Sequence, residues 1–338
     1  MSHHVMISKG EIFTTAGHGP SYRVHGGSTR MTADLPPVGL TSLPPAETID
    51  DVLRNIDVVL DWSIAVGSKI GYFAALYKRV TLAIREAIIA GVFDDGARME
   101  RMDVEFARRY FDALNAYFQP DGNRGPTLPW EVAFVGGKHD RATMLQHMLA
   151  GLNAHITFDL APATLLAAPG QPLSPLEADF NRVNALLCSQ IPGMLDKVET
   201  VSPAVIWMRR LVPSEIFILQ HMLTKLRRSA WLSAVFAAMN PDRVTEQVVN
   251  QAAWTAAIGA WYLDPPASAF GVFPRLVKSV ARRERPDVAA NIEVLLTGAQ
   301  TPAAMDERYL PKRGQPTAGS SIFRARNSSG SSAPAGKA

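Results

Sequence analysis

ATMLQHMLAGLNAHITFD, residues 142–159, is the stretch from which the rest of the chain is read. Leu, Met, Ala, Ile and Phe recur through it at helical spacing, and no carboxylate or cationic side chain interrupts it before Asp159. His147, Asn153, His155 and Asp159 sit inside this apolar run, where solvated polar groups are not expected. Residues four apart lie on one helix face and drift ~40° per step. His147, Gly151, His155 and Asp159 therefore form a slowly turning stripe, with Gly151 leaving a space that a ligand, water or another helix can enter.

The flanking sequence is helical in the same way. Ile49, Val52, Leu53, Ile56, Val59 and Leu60 recur at three and four residues, after Pro44-Pro45 and the acids of a first turn. A second helix is expected over 68–90, ended by Gly91 and the Asp94-Asp95-Gly96 turn, and a third over 103–118, opened by Asp103. A short apolar piece over 130–134 precedes the central helix at about 140–160, which Pro162 is expected to close. Downstream, Ser174 and Glu177 have the spacing of a capping box for a helix over 175–191. Further helices are expected over 214–239, 243–263, 273–283 and 287–296. No strand alternation and no internal repeat is present. The expectation is an all-α fold, a single large helical bundle of about eight or nine helices over 46–300. A disordered Gly/Pro/Ser/His-rich arm (1–45) and a low-complexity tail (301–338) flank it.

Composition narrows the function classes. Of the 338 residues, 47% are hydrophobic, which supplies a sizeable core, and the formal net charge of +3 gives no reason to expect nucleic acid or a membrane surface as partner. One cysteine, Cys188, rules out an intrachain disulfide framework and a cysteine-rich zinc site. No apolar run reaches the ~20 residues that span a bilayer, and no signal peptide is recognisable, so a cytoplasmic location is expected. Cys188 has no elbow motif or neighbouring base, and Gly136-Gly137-Lys138 lacks the spacing of a phosphate loop.

The central stripe carries the candidate chemistry. His155 and Asp159 are one turn apart and can share a metal, or Asp159 can orient the imidazole. His147 lies two turns from His155, ~12 Å in rise, too far to share one ion directly. A metal needs three or four ligands. Asp103 is the outside candidate, with Asp179 next and Glu86 behind it. An N/O set of His155, Asp159 and Asp103 suits zinc, manganese or iron, and such a site activates water or oxygen, with ester or phosphoester hydrolysis favoured. His147 and Asn153 complete the catalytic candidates, and Arg227 or Arg228, beside Trp231, can pair with an aspartate or clamp an acidic ligand. His221 shares a face with Arg228 and reads as a core or boundary residue. Two other readings stay open: a non-catalytic module for a small apolar or lipid-like ligand or a protein partner, and a polar network that only fixes helix register. Oligomeric state is not legible.

Residues 149–160, LAGLNAHITFDL, resemble the signature of an uncharacterised bacterial family, the domain of unknown function 5995: Gly-Met-Asn-Ala-His-Ile-Asn-x-Asp-Leu. Leu152 stands in place of the Met and Thr157 in place of the second Asn, with Asn153, His155 and Asp159 in register. Asp103 through Leu114, Asp179-Phe180 with Asn184, and Arg228 with Trp231 are similar patches, so the likeness covers about 50–300. It implies that these polar residues form one site, and it implies no particular reaction.

Overall fold

The structure is a computed structural model that describes residues 39–120, 125–136, 142–202, 215–266 and 273–311, with 268 and 271. The histidines of the N-terminal arm and the tail from 312 lie outside the described residues. Among those described there is no strand, and ten helical rods form the bundle, counting 144–167 as one.

Thr48 and Asp51 close a capping box on α1 (Ile49–Val66), and Gly67 ends it in the left-handed conformation (φ 66°) that a Cβ disfavours. Next come α2 (Ile70–Ile89) and α3 (Gly96–Phe118). The third helix starts seven residues earlier than expected, because Asp95 caps it by accepting from Arg98 N. Asp103 is thus inside α3, not at its mouth. The packed chain also begins before residue 46. Leu40 and Leu43 are buried, and Asn115 of α3 exchanges two bonds with the Leu43 backbone, at 2.9 and 3.0 Å.

After α4 (Leu128–Gly136), a Thr143–Gln146 capping box starts α5 (Met144–Asn153). Helix α5 passes without a break into a π-helical turn (Ala154–Asp159) and then α6 (Leu160–Ala167). Pro162 does not close this rod. Its missing N–H leaves the Thr157 carbonyl, five residues back, without a π-type donor, and Gln251 Nε2 donates to that oxygen instead. The same device carries α7 (Glu177–Val201) through Pro192 and past its expected end. The Cys188 carbonyl, four residues before Pro192, accepts from Gln220 Nε2 at 3.2 Å. The anticipated Ser174–Glu177 capping box does not form. A 3-10 turn (Ser174–Leu176) feeds α7 with no side-chain cap. The last four helices, α8 (Glu215–Met239), α9 (Val244–Leu263), α10 (Phe273–Ala281) and α11 (Val288–Ala299), lie close to their expected ranges.

Two apolar clusters make the core. One gathers α1, α2, α3, α4 and α11, and the other α2, α3, α6, α7 and α8. The rod 144–167 runs between them, and Leu152 packs on both. The space expected at Gly151 is taken by another helix, α2: a Cβ there would stand 2.6 Å from Cγ of Phe73. Phe73 is hemmed in by Tyr77, Tyr110, Trp130 and His155, so relief requires its ring to swing out of this aromatic cluster. Gly151→Ala is therefore expected to lower the urea unfolding free energy by about 1–3 kcal/mol, the cost of overpacking. A variant as stable as the parent would mean that Phe73 yields.

Candidate functional site

The site grows from the π turn. Its carboxylate, Asp159, is 1% exposed and accepts from three elements at once: Arg109 Nε of α3 at 3.1 Å, Trp130 Nε1 of α4 at 2.8 Å, and His155 Nδ1, one turn earlier, at 3.3 Å. One turn so filled leaves the aspartate no free face. With Nδ1–H directed at Asp159, the outer nitrogen of the imidazole, Nε2, is an acceptor, and it is buried without a partner. The ring lies flat on Phe106 at 3.5 Å between centroids and meets the edge of Tyr77 at 4.7 Å. Burial in this aromatic nest lowers the His155 pKa despite the Asp159 bond, which keeps the ring neutral.

His155 is also part of a cavity wall between α2, α3, α5, α7 and α8. Leu, Ile, Val, Met and aromatic side chains line most of it. The cavity offers about 140 Å³ to the centres of water molecules, inside a cleft of about 1270 Å³ that includes its open mouth. One water needs ~10–15 Å³ of such space, so there is room for roughly ten non-hydrogen atoms.

Few polar groups reach this wall, and most lack partners. Asp103, one turn before Phe106 on α3, is 4% exposed, and its Oδ2 makes no hydrogen bond. Burial, helped by the charge of Glu100, pushes its carboxyl up to about 7. Arg227 Nη2 is likewise buried without a partner, and Tyr77 Oη lies beside the Thr81 hydroxyl. Arg227 donates through Nε to Asn184 and lies 4.4 Å over the Phe180 ring, and burial lowers its pKa to about 9, so it is cationic at pH 7.

The expected site residues divide into two sets. His155 and Asp103 both line the cavity, whereas Asp159, bonded to His155, is turned toward Arg109 and Trp130 and is not on that wall. Among the described residues no three His, Cys, Asp or Glu side chains are placed to hold a metal ion, so His155, Asp159 and Asp103 do not form the expected ligand set. The physical reason is that Asp159 already accepts from Arg109, Trp130 and His155 and is turned away from the cavity, and Asp103 lies among apolar neighbours. His147 is buried elsewhere, on a small second cavity beyond Phe73 and 6.3 Å from the Tyr72 ring. Asn153 ties the rod to α9 by donating to Thr255 O at 2.8 Å, and it accepts from Thr157 Oγ1 at 3.3 Å.

Asp179 is fully buried but belongs to a separate clamp. It accepts from Asp94 N, Asp95 N, Arg98 and Arg182, and so fixes the start of α3 against α7. Arg228 is exposed, as are His221 and Glu86, and the arginine at the cavity is Arg227. Sequence reasoning missed Arg109, Trp130, Tyr77 and Phe106 as site residues. Tyr77, Tyr110 and Phe106 read as core stripes, and nothing at 109 or 130 signals a bond to residue 159.

Residues 49–265 match the sequence profile of a family of unknown function (DUF5995), and the chain belongs to that family. No curated protein and no solved structure matches.

Two outcomes follow from the electrostatics of this site. The folded-state pKa of Asp103, about 7, lies above its ordinary 3.8. Below pH ~4 both states hold the proton. Between pH ~4 and ~7 only the unfolded chain releases it, so stability falls as pH rises, by on the order of 4 kcal/mol once pH exceeds 7. Urea denaturation at pH 5 and pH 8 is expected to show Asp103→Asn losing less stability than the parent over that interval. Equal losses would place the titration elsewhere. Asp159→Asn removes the charge that Arg109 faces and is expected to cost about 2–3 kcal/mol at pH 7. A cost below about 0.5 kcal/mol in the same assay would show that the triple acceptor carries little of the fold.

Proposed function

We propose that this member of the family of unknown function binds a small, largely apolar molecule in the cavity between α2, α3, α5, α7 and α8. One observation carries the reading. Asp103 Oδ2, His155 Nε2 and Arg227 Nη2 are all buried, all lack partners among the described residues, and all belong to residues lining one otherwise apolar cavity. Each such atom costs ~1–3 kcal/mol unless something satisfies it. An apolar pocket with a few convergent polar groups is the usual form of a small-molecule site. Leu, Met and aromatic walls would hold the body of the ligand, and the neutral imidazole and the Asp103 carboxyl would hold its polar atoms.

A second reading rests on the same wall. His155 is oriented by a carboxylate, its outer nitrogen is an acceptor, and Asp103 holds a proton near neutral pH. That pairing suits general base and general acid work on a bound molecule, such as hydrolysis of an ester with an apolar chain. No step of it is routed through a metal.

The full chain, refolded from denaturant to release carried-over molecules, is expected to bind the neutral fluorophore N-phenyl-1-naphthylamine at about one per chain with an emission increase, its ten-carbon naphthyl group inside the cavity and its phenyl ring in the open mouth. Leu149→Trp, which fills the cavity, should abolish that increase while the far-ultraviolet circular dichroism stays helical. Unchanged binding in the filled variant would sink the proposal. For the second reading, 4-nitrophenyl octanoate should be cleaved faster than by buffer, and His155→Ala should remove the excess.

A further inference from the structure

Arg227 is 2% exposed, yet among the described residues no Asp or Glu lies within ion-pair distance of it. Among the described residues the Cys188 thiol acts on its charge, and the guanidinium in turn helps to keep the His155 imidazole neutral. Its bond to Asn184 and its seat on Phe180 are both to neutral groups. Taking a guanidinium out of water costs several kcal/mol, and buried cations are for that reason paired with an anion. This one has a donor, Nη2, with no acceptor, on the wall of a cavity.

Charge balance defines the missing acceptor. Among the described residues Arg227 is the single lysine or arginine on the cavity wall, His155 is neutral, and Asp103, although on the same wall, is not among the groups whose charge acts on Arg227. One buried positive charge is balanced by one negative charge. A dianionic phosphate monoester would leave a charge uncompensated in an apolar surround, and an amine would add a second cation. A carboxylate carries one negative charge at neutral pH, and its two oxygens match the planar fork of a guanidinium.

We infer that the ligand of this cavity is an aliphatic carboxylic acid, bound as the carboxylate against Arg227, with a chain of roughly eight carbons inside the apolar walls. Any longer remainder passes out through the open mouth. This inference rests on the reading of the cavity as a small-molecule site, and it adds the chemical class of the head.

The test uses the full chain loaded with N-phenyl-1-naphthylamine, displaced at pH 7 by octanoate, 1-octanol, octylamine or octyl phosphate. Octanoate is expected to displace the fluorophore at a concentration about tenfold or more below that of each other compound. In Arg227→Met that preference should vanish, with the fluorophore itself still bound. Arg227→Lys, which keeps the charge and loses the fork, should retain part of it, and it serves if the methionine variant does not fold. Equal displacement by octanoate and octanol, or tighter binding of octyl phosphate, would overturn the carboxylate while leaving the cavity reading in place. No fluorophore binding by the parent chain would instead remove the cavity reading itself.

Discussion

A single carboxylate holds the centre of this bundle together. Asp159 collects a guanidinium from α3, an indole N–H from α4 and an imidazole from its own turn, and it does so with almost no exposure to water. The indole N–H of the buried Trp130 in particular would otherwise be left unpaired. The wide turn beneath it follows the same logic. A π turn displaces backbone carbonyls from the regular ladder, and here Gln251 takes one of them. The polar residues of the signature stretch are therefore of two kinds. Asp159 and Asn153 spend their bonding on neighbouring helices, whereas His155 keeps one nitrogen facing the cavity wall.

The apolar and aromatic packing explains why the remaining polar groups are unusual. Phe73, Tyr77, Phe106, Tyr110 and Trp130 surround the imidazole, so water cannot reach it easily and its protonation is resisted. The same surround keeps a proton on Asp103 toward neutral pH. Arg227, on the wall formed by α7 and α8, has the opposite problem, a charge that cannot be shed at neutral pH and that faces no carboxylate among the described residues. One wall thus carries an acceptor, a protonated acid and a cation. That combination is costly for stability alone and useful for holding a molecule.

Most of the fold was legible in the sequence because hydrophobic spacing is a local property. Ranges for α8, α9 and α11 could be read within a few residues from apolar periodicity and from capping residues such as Asp287. Two helix ends were misread where a distant side chain replaced a local bond. Pro162 and Pro192 look like helix ends until Gln251 and Gln220 supply the missing donors from other helices. The site was legible at residues 155 and 159, where polarity interrupts an apolar run. It was not legible at Arg109 or Trp130, whose bonds to Asp159 depend on how α3 and α4 cross the rod. Asp179 misled for a related reason, since a fully buried aspartate can serve two backbone amides and two arginines without touching any cavity.

The cavity also sets a mechanical property of the molecule. Space enclosed by folded side chains is volume that disappears when the chain unfolds, so hydrostatic pressure favours the unfolded state in proportion to it. A guest occupying the roughly 140 Å³ would remove much of that volume difference. Resistance to pressure thereby becomes a gauge of occupancy, independent of any colour, charge or turnover of the guest.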